Sequence, residues 1–142
     1  MPGTTFDIDV IAAGRGKTLA FADGAAIYQS GEPGDCAYIV TRGRVRIGND
    51  VPLDVLHAGE IFGETALIDN GSRCAAAVAV GPTEVIAIDR ALFEALIRDD
   101  PDFALAIMNL LTRRLRAAVS ALDRATGTPP RRRPELRVIA GG

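Results

Sequence analysis

One short segment of the chain places a glycine, a carboxylate, an apolar turn and an arginine close together. Phe62-Gly63-Glu64-Thr65-Ala66-Leu67 ends one apolar stretch, and Ser72-Arg73-Cys74-Ala75-Ala76 begins the next. Residues 65–69 are long enough for a single helical turn, residues 70–72 end it, and Arg73 is predicted to open a strand. Free backbone N–H groups at the start of such a turn attract an anion, and a nearby guanidinium adds charge-assisted hydrogen bonds. The segment therefore predicts a site for one phosphate group.

Glu64 restricts what else the ligand carries. A carboxylate repels a phosphate, so its position requires a second ligand group from which it can accept a hydrogen bond, such as a ribose 2′-hydroxyl. A phosphate and a sugar hydroxyl on one molecule indicate a nucleotide. The structural alternative is that the glycines are β-turn residues and that Glu64 and Arg73 form an ion pair.

The rest of the chain has the pattern of a β domain followed by helices. Short apolar stretches separated by turn signals predict a β-sandwich or jelly roll of about eight strands. The predicted strands cover residues 18–21, 25–29, 36–41, 44–47, 51–56, 61–62, 73–80 and 84–88. Residues 36–47 are interpreted as a hairpin around Arg42-Gly43, and Pro52 places its strand at a sheet edge.

Two helices are predicted after the strands. Asp89 is expected to cap a helix over residues 90–97, and Asp100 with Pro101 to begin one that continues to about Arg124. The second helix has a heptad-like apolar seam of Ala104, Met108, Leu111, Leu115, Ala118 and Leu122. Its first part, with Phe103 and Ile107, is expected to pack on the sheet. From Leu111 onward it either pairs with a second chain or folds back on its own domain.

Composition limits the class of function. A chain of 142 residues with ordinary globular composition fits one domain, and a net charge of −2 argues against a general nucleic-acid binder. There is no apolar run of roughly 18 residues and no signal peptide, so a cytoplasmic location without a membrane span is expected. One histidine, His57, and two cysteines without metal-ligand spacing predict neither a metal nor a cofactor. The same single histidine gives no catalytic triad.

The ordered motifs resemble those of the cyclic nucleotide-binding domain family, as in the ligand-binding domain of catabolite-activator-type bacterial regulators. The family pattern Phe-Gly-Glu-x-Ala-Leu, a variable loop and Arg-x-Ala stands here as FGETAL, IDNGS and RCA. Upstream, residues 31–35, 38–40, 43 and 45–47 are similar to the family's strand–turn–strand signature, and a strand and two helices follow in the family's order. The resemblance covers residues 19–125 and implies a mainly β fold, a jelly-roll-like β-roll with C-terminal helices.

The residues on either side of the matched region predict a division of the chain into three parts. A lead segment over residues 1–17, with Ile8, Val10 and Ile11 as candidate anchors, precedes a binding domain over residues 18–125. A flexible tail rich in proline and arginine follows over residues 126–142. In catabolite-activator-type regulators this domain precedes a helix-turn-helix, whereas here the chain stops soon after the long helix. The output is then expected to pass through an unidentified effector protein or a weak homodimer formed by that helix.

By the same resemblance the chain is a sensor and not an enzyme, and its ligand is cyclic AMP or cyclic GMP. Glu64 would accept from the ribose 2′-hydroxyl and Arg73 would pair with the cyclic phosphate, while the long helix covers the base. The predicted ligand-binding residues are Ile47, Leu53, Phe62, Gly63, Glu64, Thr65, Ala66, Arg73, Cys74, Ala75 and Arg114, with Ala118 and Val119 as further candidates.

Cys74 stands where cyclic-GMP-selective members of the family typically carry threonine. Since a thiol is a weak hydrogen-bonding group, this favours cyclic AMP. The side chain is interpreted as a small buried filler, with an oxidation-sensitive thiol as the alternative. For the whole chain, two other functions stay open: a ligand-free structural or dimerisation module, and a small cupin-like enzyme, which the single histidine disfavours.

Overall fold

The computed structural model describes residue 6 and residues 15–48 and 52–126, which form an open six-stranded antiparallel sheet followed by helices. The strands are β1 (Lys17–Phe21), β2 (Ala26–Tyr28), β3 (Cys36–Ile47), β4 (Asp54–Leu56), β5 (Ile61–Phe62) and β6 (Ala77–Asp89). The helices are α1 (Glu64–Asp69), α2 (Arg90–Asp99) and α3 (Pro101–Thr126). The predicted fold class, a mainly β roll with C-terminal helices, is confirmed.

The sheet is built around the antiparallel pair of β3 and β6. Their register runs from Cys36 opposite Asp89 to Ile47 opposite Ala77, and the strand order is β1-β6-β3-β4. β2 also pairs with β6, and β5 with β3. Because β4 pairs with β3 alone, the predicted edge position is confirmed, with Pro52 lying just before the strand.

The sheet has six strands where about eight were predicted, because two predicted pairs are single long strands. The hairpin around Arg42-Gly43 is wrong: β3 continues through it, with register shifts on both sides of Arg42. Gly43 and Gly81 both have positive φ, 81° and 72°, yet lie within β3 and β6. Glycine here permits a local bulge without ending the strand.

Buried apolar residues form two clusters, and each includes a residue of the segment from Phe62 to Ala76, which we call the site segment. The first joins the sheet to the helices through residues such as Ile39, Leu67, Ile88, Phe103 and Ile107. The second fills the roll and consists of Tyr28, Val40, Val45, Leu56, Phe62, Ala77 and Val85. Since Leu67 belongs to α1, the short helix is packed against the same core as α2 and α3.

Both predicted helix starts are confirmed. The Asp89 carboxylate accepts from the Leu92 N–H at 2.8 Å at the start of α2. Asp100 accepts from the N–H groups of Asp102 and Phe103 at 3.1 and 3.3 Å, with Pro101 as the first residue of α3. None of the helices in the described ranges is long and apolar enough to cross a membrane.

The apolar pattern of α3 divides differently from the predicted seam. Phe103, Ile107 and Leu110 are buried on the domain, and Leu111 is partly buried against it. The exposed large apolar side chains of α3 instead form what we call the α3 stripe: Leu105, Met108, Leu115, Val119 and Leu122. The predicted seam was wrong because it combined residues of the buried face, such as Leu111, with residues of the exposed face, such as Leu115.

Phe6 packs against the domain, which was not predicted from the sequence. Its N–H donates to the Gly59 carbonyl at 2.8 Å, and its ring lies 5.5 Å from the Phe103 ring. The predicted anchors Ile8, Val10 and Ile11, and the tail after Thr126, lie outside the described residues.

Candidate functional site

A cavity of about 540 Å³ lies between the roll, α1 and the middle of α3. Ten of the eleven predicted ligand-binding residues line it, and Glu64 is the exception. The lining residues that had been predicted are Ile47, Leu53, Phe62, Gly63, Thr65, Ala66, Arg73, Cys74, Ala75 and Arg114. The structure therefore brings together residues from β3, the β4 region, the α1 segment and α3.

The backbone at Arg73 is held by the loop before β3. The Arg73 N–H donates to the Glu32 carbonyl at 2.8 Å, and the Gly31 N–H donates to the Arg73 carbonyl at 2.8 Å. An isolated antiparallel bridge between Pro33 and Ser72 continues this pairing. The prediction that Arg73 opens a strand is wrong, because β6 begins only at Ala77.

The Arg73 side chain is almost fully buried, with 4% of its surface exposed. Nη1 donates to the Gly63 carbonyl and Nη2 to the Cys36 carbonyl, each at 2.7 Å. The guanidinium carbon lies 4.1 Å from the centroid of the Tyr28 ring. Nε is buried and has no hydrogen-bond partner. The guanidinium thus has two fixed contacts and one unused buried donor.

Glycine is required at position 34 because the site segment passes so close to it. A Cβ there would lie 2.3 Å from the Ala66 Cβ and 3.2 Å from the Arg73 Cζ. The first distance is far inside van der Waals contact, and neither backbone can move without disturbing the sheet or α1.

Glu64, at the first position of α1, is fully buried and is not among the residues that line the cavity. Its Oε1 accepts from Arg114 Nη1, and Arg114 Nη2 donates to the Ile61 carbonyl at 2.8 Å. The other carboxylate oxygen, Oε2, is buried and has no partner. This ion pair connects α1 to α3, and the sequence analysis did not predict it, because the partners are fifty residues apart.

The single helical turn predicted after Gly63 is confirmed as α1, which begins at Glu64. Gly63 is its N-cap with φ 78°, and no side chain caps the helix. Asn70 ends it in the left-handed region, with φ 57°. Arg90, at the start of α2, donates to the Leu67 carbonyl and to the Asn70 side chain. The far end of α1 is therefore tied to α2.

Apart from its charged residues, the cavity is lined mainly by apolar side chains. They include Ile47 and Leu53 and three alanines of α3, Ala117, Ala118 and Ala121. Of the two further candidates on α3, Ala118 lines the cavity, whereas Val119 is exposed and belongs to the α3 stripe.

Cys74 corrects one prediction, and two other lining residues were missed. Cys74 is exposed and lines the cavity, so the buried-filler interpretation is wrong. Asp54 and Tyr28 also line it. Tyr28 had a weak sequence signal, since it is one of only two tyrosines in the chain.

Burial keeps the groups around Arg73 protonated. It raises the pKa of Tyr28 from the usual 10.0 to about 12. Burial also raises the pKa of Tyr38 and of the Cys36 thiol, the latter with help from the neighbouring carboxylate of Asp35. Within residues 15–48 and 52–126 no group of three or more histidine, cysteine or carboxylate side chains is arranged to hold a metal.

Comparison with known proteins shows the family to which this fold belongs. The family defined as the cyclic nucleotide-binding domain matches residues 18–100. The chain is 41% identical over 109 residues to the cyclic AMP receptor protein of Thermus thermophilus, covering 72% of this chain and 50% of that protein. It is 31% identical over 106 residues to a CRP-like cAMP-activated global transcriptional regulator of Mycobacterium tuberculosis, covering 70% and 47%.

A solved structure gives the same result. The crystal structure of the Thermus thermophilus catabolite activator protein superposes with a TM-score of 0.75 at 36% identity, covering 84% of this chain and 58% of that one. The fold and the matched residues define a nucleotide-sensing β-roll. The chain belongs to the cyclic nucleotide-binding domain family, and it spans about half the length of the two curated relatives described.

Proposed function

We propose that the cavity binds a cyclic nucleotide, with the phosphate at Arg73 and the ribose 2′-hydroxyl at Glu64. Two unsatisfied buried atoms carry this proposal. Among the described residues three buried side-chain polar atoms have no partner, and two of them are Arg73 Nε, a donor, and Glu64 Oε2, an acceptor. Buried polar atoms are nearly always hydrogen-bonded, so a missing partner requires an explanation. A ligand with an anionic acceptor and a hydroxyl donor would satisfy both.

The charges at the site support a monoanionic ligand. Arg73 and Arg114 carry two positive charges against the negative charges of Glu64 and of Asp54, which also lines the cavity. The cyclic phosphate carries one negative charge, which the single guanidinium of Arg73 balances without a metal. In this partly buried place the pairing is stronger than on the surface.

The residues expected to contact the base favour cyclic AMP, with modest selectivity over cyclic GMP. The three alanines of α3 offer no polar side chain to a base, and the Cys74 thiol is a weak hydrogen-bonding group. The names of the Thermus and mycobacterial relatives both refer to cyclic AMP.

The Glu64–Arg114 pair supports a coupling of the ligand to α3. A ribose hydroxyl on Glu64 Oε2 would fix the carboxylate that holds Arg114, and with it the middle of the helix. We infer that the α3 stripe then pairs with a second copy of the chain, so that ligand and dimer stabilise each other.

One observation favours the second candidate, a scaffold that works without ligand. Both terminal nitrogens of Arg73 are satisfied by backbone carbonyls, and Glu64 already has Arg114. The segment therefore holds itself together in an empty site. This candidate leaves Arg73 Nε and Glu64 Oε2 unexplained.

Calorimetry with cyclic AMP and cyclic GMP in parallel tests the proposal. The parent chain should bind both, with cyclic AMP somewhat tighter. Arg73→Ala should weaken binding by about 2 kcal/mol or more because the charge-assisted partner of the phosphate is lost. Arg116→Ala, an exposed arginine on the same stretch of α3, is the matched control and should bind like the parent.

Two results would contradict the proposal: no heat with either nucleotide from the folded parent chain, or unchanged cyclic AMP affinity in Arg73→Ala. The first would favour the ligand-free scaffold. Circular dichroism of each variant separates loss of binding from loss of fold.

A further inference from the structure

The Tyr28 ring lies directly under the buried guanidinium of Arg73. The distance from Cζ to the ring centroid is 4.1 Å, against 5.7 Å for the Tyr38 ring. An arginine over an aromatic face within about 6 Å is attracted by the negative potential of that face, and the attraction is larger where water is excluded. Tyr28 is 8% exposed and Arg73 is 4% exposed, so this contact is shielded.

The ring itself is held rigidly. Tyr28, Tyr38 and Phe62 form an aromatic cluster with ring centroids 5.3 to 6.1 Å apart. A Cβ at position 63 would lie 3.4 Å from the edge of the Tyr28 ring, so the ring also abuts the first residue before α1. Since Phe62 and Gly63 belong to the site segment, the ring contacts both the arginine and the backbone that the arginine binds.

These contacts leave the guanidinium with a defined orientation. Two edges of the guanidinium plane are fixed by the Gly63 and Cys36 carbonyls, and one face rests on Tyr28. What stays available is the Nε–H, which is buried and has no partner. A phosphate would meet a group that is already oriented, which lowers the entropy lost on binding.

We propose that Tyr28 is the positioning residue of the site: its ring face orients Arg73 and thereby sets the affinity for the anionic group of the ligand. This inference rests on the proposed function. It assigns to the ring, and not to the phenol hydroxyl, a role that neither the sequence motifs nor the cavity alone indicate. Tyr28→Phe keeps the ring face, whereas Tyr28→Leu removes it.

A ligand-free measurement tests the orientation first. In the parent chain the Arg73 Hε proton should show an upfield ring-current shift in its nuclear magnetic resonance spectrum, assigned by its loss in Arg73→Lys. Tyr28→Phe should keep the shift and Tyr28→Leu should abolish it. An ordinary Hε position in the parent would overturn the proposal whatever the nucleotide result.

Calorimetry with cyclic AMP tests the effect on affinity. Tyr28→Leu should bind about tenfold more weakly, as expected for loss of a shielded cation–π contact, and Tyr28→Phe should stay near the parent. Phe21→Leu, which removes a half-buried ring packed against the same apolar cluster, is the matched control and should bind like the parent. Parent-like affinity in a folded Tyr28→Leu chain would overturn the positioning role and leave the proposed function intact.

Fluorinated phenylalanines at position 28 separate electrostatics from packing and replace Tyr28→Leu should that variant not fold. Each added fluorine weakens the ring's negative face while nearly preserving its size, so cyclic AMP affinity should fall stepwise. Constant affinity across the series would show that the ring only fills space, which contradicts the proposal. A parent chain with the ring-current shift but no nucleotide binding would overturn the proposed function, and with it the ligand part of this inference.

Discussion

At the scale of single residues, the site is an arrangement of charges held partly unsatisfied in a buried place. Taking a carboxylate and a guanidinium out of water is costly unless each is paired and hydrogen-bonded. Arg73 meets most of that requirement through two carbonyls and Tyr28, and Glu64 through Arg114. The two atoms without a partner are a donor, Arg73 Nε, and an acceptor, Glu64 Oε2. A single ligand that carries both an acceptor and a donor can therefore satisfy both.

Glu64 provides the sharpest test of how the ribose is recognised. If its Oε2 accepts from the 2′-hydroxyl, the parent should prefer cyclic AMP to 2′-deoxy cyclic AMP, and Glu64→Ala should lose affinity together with most of that preference. Competition titration measures both. An equal loss of affinity for the two ligands would instead assign Glu64 to positioning Arg114 and the start of α1.

Tyr28 predicts how stability depends on alkaline pH. Its pKa is raised from 10.0 to about 12 in the folded chain, so the neutral phenol is favoured by folding. Below the unfolded value both states are protonated and the contribution is fully present. Above it the unfolded chain loses the proton first, and the contribution is lost as pH rises through the folded pKa.

Urea unfolding at intervals from about pH 9 to 12 should therefore show a fall in unfolding free energy that Tyr28→Phe reduces. Tyr38→Phe serves as the comparison at the second tyrosine, whose pKa is also raised by burial. A parent chain whose stability has the same alkaline dependence as Tyr28→Phe would show that Tyr28 does not titrate abnormally.

Much of the site could be predicted from sequence because its recognition residues are contiguous. The turn after Gly63 and the arginine that follows it form one local pattern, and its chemistry can be read without the fold. The partners of these residues come from elsewhere: Tyr28 from β2, the Cys36 carbonyl from β3 and Arg114 from α3. No local pattern indicates which of many arginines and aromatic rings will meet across such distances in sequence.

At the scale of elements, α3 has two parts with different surroundings. Up to Leu110 it is anchored in the core by Phe103 and Ile107. Arg114 binds Glu64 and the Ile61 carbonyl, and the cavity-lining residues beyond it are alanines. From Leu115 to Thr126 every side chain is exposed. Helix segments without buried contacts open readily, so the end of α3 is the part of the described chain that a ligand can most easily order.

Hydrogen exchange should detect that ordering. Cyclic AMP is expected to slow amide exchange in residues 114–126 of the parent and of Arg116→Ala, and to have little effect there in Arg114→Ala. Arg114→Ala should also cost roughly 2 kcal/mol of stability, less than for a fully enclosed pair because 33% of the Arg114 side chain is exposed. Ligand protection of α3 that survives Arg114→Ala would remove this ion pair from the coupling.

Two predictions, the breaks within the long strands and the apolar seam of α3, failed because tertiary contacts override local signals. Gly43 and Gly81 look like turn residues, yet the pairing of β3 with β6 carries the strands through them. The α3 seam failed for a similar reason. Some apolar residues of α3 lie on the face that packs on the core, and others lie on the face exposed to solvent. The heptad pattern alone does not indicate which face the domain covers.

At the scale of the whole molecule, the α3 stripe presents five large apolar side chains to solvent. Leu115 is 65% exposed, and Leu105, Met108, Val119 and Leu122 are more than half exposed. Their spacing of three, four and seven residues is that of a two-helix seam. Large exposed apolar patches of this kind mark sites of association.

We expect a monomer–dimer equilibrium that cyclic AMP shifts toward the dimer, measured by sedimentation with and without ligand. Leu115→Glu should abolish the dimer because it places a charge in the middle of the stripe. Val55→Glu, at an exposed apolar position on the edge strand β4, is the matched control and should leave the equilibrium unchanged. A strict monomer at every concentration, with and without ligand, would leave α3 as a cover for the cavity alone.

The hydrogen bond from the Gly48 N–H to the Ala76 carbonyl, 2.9 Å long, closes the end of the β3–β6 pair. Glu64 and Arg73, the residues proposed to bind the sugar and the phosphate, lie within the loop that this bond closes, whereas Tyr28, the Cys36 carbonyl and Arg114 lie outside it. The proposed ligand contacts therefore lie in one loop, which is held by a framework that includes Tyr28 and Arg114. Substitutions within the loop are expected to change which ligand is bound, while the framework and its connection to α3 are retained.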